Sequence, residues 1–203
     1  MSTLLSYWSE FVDIMNSGGV IMWVLFALNL ALWYGLGYRY LTLKRGRDGN
    51  VRYLIEKLET KPEKNPKGVL DYVVFDALEA YKEAKAMGKH PRKYIYDAIF
   101  PYFIAVGKYS TLVKTIVMLA PLIGLLGTVV GMIETFDALQ TSAMFSQGDS
   151  IAGGISKALF TTELGLVVAV PGLLFGKILE RKEENLTVEF EQIVDILSTK
   201  DER

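Results

Sequence analysis

Four ionisable side chains lie within two segments of this chain that are otherwise apolar. Glu163 is at least one helical turn inside the second segment, whereas Glu134, Asp137 and Lys157 are close to segment ends. A carboxylate at the depth of a bilayer must be protonated, paired or reached by water, and such a residue is usually functional. We interpret Glu163 as a group that binds or relays a cation or, equally, as one that pairs with a neighbouring subunit. The other three are explained more simply by contact with water at the membrane surface.

Small residues form a stripe along each of the same two segments, at alternating spacings of three and four residues. The first stripe comprises Pro121, Gly124, Thr128, Gly131 and Thr135, and the second comprises Ala158, Thr162, Gly165, Ala169, Gly172 and Gly176. Small residues let membrane helices approach closely, so helix packing by itself explains both stripes. A functional interpretation is compatible with packing: the stripes face a central cavity that holds another helix, and Thr128 and Thr162 supply hydroxyls to an ion pathway.

Three segments of the chain are long and apolar enough to cross a bilayer as helices. The first has 19 residues without a charge, about 28 Å as a helix, close to the thickness of the hydrocarbon core. The sequence therefore predicts an all-α membrane protein with three transmembrane helices and long helical extensions. The predicted boundaries are an amphipathic helix in 1–19, spans in 20–38, 115–139 and 151–176, a helical region in 39–114, a connector in 140–150 and a helical tail in 177–203.

The distribution of Lys and Arg predicts the orientation. Residues 1–38 and the connector 140–150 have none, residues 39–114 have 16, and residues 177–203 have five. Loops rich in Lys and Arg stay in the cytoplasm. We therefore expect the N-terminus and the connector outside the cell membrane, and the large loop and the C-terminal tail inside.

The cytoplasmic region is expected to be mostly helical. Val69 to Met87 reads as an amphipathic helix, and Pro101 is expected to break or kink the helix that leads into the second span. The second small-residue stripe continues past Gly176 as a mainly apolar face, which is too long to be buried by this chain alone and so predicts self-association in a bundle. This face comprises Leu179, Glu183, Leu186, Phe190, Ile193 and Leu197.

Several functions are disfavoured by the composition. The chain has no cysteine, one histidine and a net charge of −1, which argues against thiol chemistry, a histidine-rich metal site and a nucleic-acid partner. The apolar segments contain no nucleophile with a paired base. We therefore expect no enzymatic activity, no cofactor and no metal.

The segments APLIGLLGTVVGMIETF and ISKALFTTELGLVVAVPG, with the three-span topology, resemble the ExbB/TolQ/MotA family of inner-membrane proton-channel proteins, and most of all ExbB. The resemblance implies a pentamer around two copies of a single-span, ExbD-like partner whose membrane aspartate carries protons. It also implies coupling of the proton-motive force to a TonB-like protein that acts on outer-membrane receptors. The location implied is the bacterial inner membrane, with a periplasmic N-terminus and a cytoplasmic C-terminus.

The resemblance also implies roles for individual residues. The family's membrane threonines fall on Thr128 and Thr162, and the proline of its second-span motif falls on Pro121. ExbB proteins commonly have Glu where this chain has Lys157, and an acidic residue appears instead at Glu163, six positions on. A TolQ-like subunit for envelope maintenance and a non-conducting membrane scaffold are the alternatives.

Overall fold

A computed structural model describes residues 2–46, 49–60, 68–141 and 147–200. Residues 142–146 of the expected connector and 201–203 of the expected tail lie outside this part of the chain, as do 47–48 and 61–67 of the region 39–114. Every element in the described ranges is a helix. The helices are α1 (Ser2–Ser17), α2 (Gly19–Thr42), α3 (Val51–Thr60), α4 (Val69–Ala86), α5 (Pro91–Gly107), α6 (Ser110–Thr141) and α7 (Gln147–Thr199).

The helices form two compact units. The first consists of Met1–Leu36 with Thr111–Gly176, and the second of Gly37–Ser110 with Lys177–Arg203. Three described stretches are long and apolar enough to cross a membrane, and each overlaps one of the expected spans: Gly19–Thr42, Pro91–Asp137 and Ile151–Thr199.

In the first unit, α1 and α2 are joined by a tight turn, and α2 runs beside α7. Gly19 makes the turn with a φ of +66°, which favours glycine because it has no Cβ. A Cβ at Gly19 would lie 2.8 Å from Lys157, near the start of α7, and one at Gly172, further along α7, would lie 2.7 Å from Leu32 of α2. The start of α2 thus lies near the start of α7, and a later residue of α2 lies near a later residue of α7. The two helices are therefore parallel.

In the second unit, the apolar face that continues the stripe of α7 is present but is buried by the chain itself. Leu179, Leu186, Phe190, Ile193 and Leu197 are each at most 4% exposed. Phe190 packs edge-to-face on Phe103 of α5, with ring centroids 5.3 Å apart. The expectation that other copies must cover this face was therefore wrong, because the face is buried within the chain and α5 contacts it.

Two arginines that follow the first apolar segment are paired with glutamates of α7. Arg39, only 1% exposed, donates a hydrogen bond to Glu183. Arg45 donates through Nε to both carboxylate oxygens of Glu189, at 2.9 Å each. These pairs fix the end of α2 on α7 within the second unit.

Pro101 does not break the helix that contains it. The helix α5 continues through Pro101 to Gly107, held by buried residues on either side, among them Ile99 and Val106. The break lies instead at Tyr109, whose φ is +62°, and α6 starts at Ser110, earlier than the expected residue 115. The helix over Val69–Ala86 is confirmed.

Candidate functional site

The two small-residue stripes face each other across a helical hairpin of α6 and α7. A Cβ built on Gly124 would lie 2.9 Å from the carbonyl oxygen of Thr161, and one on Gly165 would lie 2.8 Å from that of Ala120. Near the other end of the pair, a Cβ on Gly131 would lie 2.8 Å from the carbonyl oxygen of Gly154. The helices are therefore antiparallel, and their backbones are too close for any side chain larger than hydrogen at these positions.

Two threonines fill the remaining depth of this interface. Thr161 is fully buried and fills the space that a side chain at Gly127 would need. Thr135, which is 4% exposed, fills the space next to Gly154 in the same way. Their hydroxyls donate to carbonyl oxygens of their own helices, Thr161 to Ala158 at 2.9 Å and Thr135 to Gly131 at 2.8 Å. The sequence reading missed Thr161, because it lies one position off the stripe.

The two threonines expected to line an ion pathway lie at the edge of the interface. Thr128 and Thr162 are both half-buried. The Thr128 hydroxyl donates to the carbonyl oxygen of Leu125 at 2.7 Å, and the Thr162 hydroxyl donates to that of Ala158 at 3.3 Å. Since each proton is used within its own helix, the oxygen lone pairs remain available to accept a hydrogen bond from the exposed side.

The other stripe residues pack against helices of the same chain. Gly172 lies against Leu32 and Val117, and Gly176 lies against Val113. Ala158 and Ala169 are each 6% exposed, and Pro121 is half-buried. Most residues of the two stripes therefore serve close packing between helices of the same chain.

Glu163 points away from this interface. It is exposed, and the residues around it on the α7 surface are exposed apolar ones, namely Leu159, Leu166 and Val167. Within the described residues, no hydrogen bond or ion pair involves its carboxylate. The hairpin therefore carries a carboxylate in the middle of an apolar surface that this chain does not cover.

Lys157 and Glu134 form an ion pair across the hairpin. The Lys157 ammonium donates to both Glu134 carboxylate oxygens, at 2.6 and 2.8 Å. The pair joins the C-terminal part of α6 to the N-terminal part of α7, beside Gly19 at the start of α2. Lys157 therefore lies where the start of α2, the C-terminal part of α6 and the N-terminal part of α7 come together.

This arrangement offers acceptors and a titratable group but no covalent chemistry. Hydroxyl oxygens can accept a hydrogen bond from water or coordinate a cation, and a carboxylate can take up and release a proton. In the described part of the apolar helices, these groups are half-buried or exposed along the outside of the hairpin. The arrangement fits ion passage along a surface that a second chain completes.

Comparison with known proteins identifies the family. Residues 69–192 match the MotA/TolQ/ExbB proton channel family, a family of channels rather than enzymes. The chain is 33% identical over 185 residues to the biopolymer transport protein ExbB-like 1 of Helicobacter pylori, covering 89% of this chain and 90% of that one.

Two shorter matches agree with this assignment. The biopolymer transport protein ExbB-like 3 of Synechocystis is 40% identical over 72 residues, 35% of this chain and 34% of that one. The biopolymer transport protein exbB1 of Vibrio cholerae is 37% identical over 68 residues, 34% of this chain and 30% of that one. With its three apolar helices, the chain is a membrane protein that belongs to the MotA/TolQ/ExbB proton channel family, and it is similar to ExbB-type members.

Proposed function

We propose that this protein is the pore-forming subunit of an inner-membrane motor driven by the proton-motive force. It works with an ExbD-like single-span partner and energises TonB-dependent transport across the outer membrane. The observation that carries the proposal is the exposed carboxylate of Glu163 on an apolar helix surface. Family membership and the names of the ExbB-type relatives support the same function.

The surface around Glu163 requires a second chain or water. A charged carboxylate facing lipid at bilayer depth costs several kcal/mol. A pentamer around a partner helix, as in the family that the motifs resemble, turns this surface towards protein and a hydrated path. Glu163 then relays protons to the partner, or it pairs with a neighbouring subunit.

Thr128 and Thr162 provide polar contacts along the same path. Both lie at the edge of the α6–α7 interface, with lone pairs on the exposed side. The tightly packed glycine stripe keeps the hairpin rigid, so that the protonation cycle moves the partner helix rather than the wall. No covalent intermediate is needed.

Charge and helix direction together support the proposed orientation. The parallel course of α2 and α7, with α6 antiparallel, suits three successive crossings of a membrane. The Lys and Arg distribution supports a periplasmic N-terminus and a cytoplasmic C-terminus. A cysteine introduced at Ser9 and one at Thr199, both exposed positions, labelled with an impermeant maleimide in intact spheroplasts, tests this: only the first should react before lysis.

Proton flux into liposomes tests the role of Glu163. The protein is reconstituted with its partner, and dye-reported flux is compared for wild type, Glu163→Gln, Thr162→Val and, as matched control, Glu184→Gln on the exposed part of α7 beyond the apolar segment. If Glu163 relays protons, Glu163→Gln should lower flux by roughly 100-fold or more, with Thr162→Val intermediate and the control unchanged.

The same reconstitution separates the rival interpretations. Wild-type flux in Glu163→Gln with a smaller subunit count by native mass spectrometry would assign Glu163 to pairing between subunits. A wild-type complex that conducts no protons would favour a non-conducting scaffold. In that case the small-residue stripes would serve only to pack the helices of one chain. Unchanged flux and unchanged energised transport in both variants would refute the proposed site.

A further inference from the structure

A cavity of about 630 Å³ lies in the second unit, between the end of α2 and the following residues on one side and α7 on the other. None of the residues discussed above as an ion pathway lines it. Its volume is in the range of small-molecule and cofactor sites. Its walls combine cations with apolar side chains, a combination that suits an amphipathic ligand.

Three cations and one carboxylate supply the charge of the cavity, namely Lys44, Arg45, Lys182 and Glu189. The Glu189 carboxylate is held by Arg45, whose NH2 group is 2.7 Å from Oε1, and Arg45 also donates to the carbonyl oxygen of Gly49 at 2.7 Å. Glu189 is therefore neutralised within the wall, and the two exposed lysines leave the cavity with an excess of positive charge.

The rest of the lining combines four apolar or aromatic side chains with the amides of Asn185 and Gln192. Leu43 and Leu186 form a buried floor, each 3% exposed, and the ring of Tyr40 is 59% exposed at the edge. The Lys182 ammonium lies 5.7 Å from the centre of that ring, a cation–π arrangement that keeps the charge over the cavity. An anion with an attached apolar chain matches both parts of this lining.

The position of the lysines along the chain gives the depth of the site. Lys182 follows Gly176, the end of the third apolar segment, by six residues of unbroken helix, about 9 Å at 1.5 Å per residue. Lys44 follows Tyr38, the end of the first apolar segment, by the same number. The headgroup layer is roughly 5–8 Å thick on each side of the hydrocarbon core, within reach of both side chains.

We infer that this cavity binds the phosphate of an anionic phospholipid, with the lipid's apolar part against Tyr40 and the leucine floor. The phosphate lies between Lys44 and Lys182, beside the fixed guanidinium of Arg45. The site is independent of the ion pathway, since it uses none of its residues. The bound lipid would contact both α2 and α7 just beyond their apolar segments, in the membrane leaflet next to the cavity.

Lipid retention by the intact complex tests this inference. The purified complex is exchanged into phosphatidylcholine with a titrated fraction of phosphatidylglycerol, and bound lipid is counted by native mass spectrometry. The double variant Lys44→Gln/Lys182→Gln should weaken phosphatidylglycerol binding by roughly 30-fold, given the usual contribution of each cation near an anionic surface. The variant Lys44→Arg/Lys182→Arg should retain it.

The matched control is Lys85→Gln/Lys89→Gln. It removes the same charge from the same unit, at lysines that lie over Tyr81 and Tyr94 at 5.8 and 5.7 Å, but outside the cavity. It should bind the lipid as wild type does. Equal binding by wild type and the Lys44/Lys182 glutamine variant would overturn the inference, and so would competition by inorganic phosphate or glycerol phosphate at concentrations comparable to the lipid, which would indicate a soluble phosphate ligand.

Discussion

The ammonium of Lys157 lies 2.6 Å from Oε1 of Glu134, so the two oppositely charged residues of the hairpin satisfy each other across α6 and α7. The resemblance to ExbB implies a glutamate at the position of Lys157. In this chain a carboxylate is present at the same level of the hairpin, but the facing helix supplies it. Glu163 does not take part in the pair, so the two acidic positions have separate environments.

The Lys157–Glu134 pair is expected to stabilise the hairpin. Lys157→Gln and Glu134→Gln each leave one charge unpaired, and the double variant removes both. Since Glu134 is 49% exposed and is screened by nearby water, we expect a coupling free energy of about 1 kcal/mol in a double-mutant cycle. Thermal unfolding in nanodiscs measures it, and strictly additive effects would show that the pair contributes nothing.

The glycine at position 127 is expected to be essential for hairpin packing. Gly127→Ala places a methyl group on the Thr161 side chain, and such overpacking costs about 1–3 kcal/mol. Gly153→Ala is the matched control, because a Cβ there meets nothing within 4 Å. It should raise the melting temperature slightly, through the better helix propensity of alanine. Equal effects of the two substitutions would contradict the close approach of α6 and α7.

The Arg39–Glu183 pair is expected to be the most costly ion pair to break. Arg39 is 1% exposed, so Glu183→Gln leaves a buried guanidinium without its counter-ion, at a cost of about 3–5 kcal/mol. Lys177→Gln is the control: Lys177 is 60% exposed and pairs with Glu180 three residues along the same helix, so its loss should cost about 0.5 kcal/mol or less. Denaturation followed by circular dichroism compares the two, and similar losses would refute the special role of Arg39.

The long apolar face of α7 is expected to stabilise the fold of the single chain. Phe190→Ala removes a fully buried ring from its contact with Phe103 and should cost about 3–5 kcal/mol. Val188→Ala, at a position that is 50% exposed, should change stability by less than about 1 kcal/mol. If Phe190→Ala instead lowered the subunit count in native mass spectrometry with no loss of thermal stability, the face would belong to an interface between subunits.

The helix boundaries show which features of the fold a local sequence pattern can predict. The apolar segments and the stripes of small residues were predictable because lipid solvation and close packing each impose a simple composition on the helix. The break before the second span was misplaced, since Pro101 removes only one backbone donor while buried neighbours hold α5 together. Tyr109 adopts a positive φ where its ring packs on Tyr38, 5.0 Å away, a tertiary contact that no local pattern reveals.

The sequence by itself determined the three apolar segments, the small-residue faces and the family, because each depends on residue type at a fixed spacing. Only the tertiary structure decided what covers each face. It buries Thr161 rather than Thr162 in the hairpin, covers the face of α7 with helices of the same chain, and leaves Glu163 exposed. The reason is physical: a periodic pattern gives the direction of a side chain from its own helix, whereas the group that it meets depends on how distant segments pack.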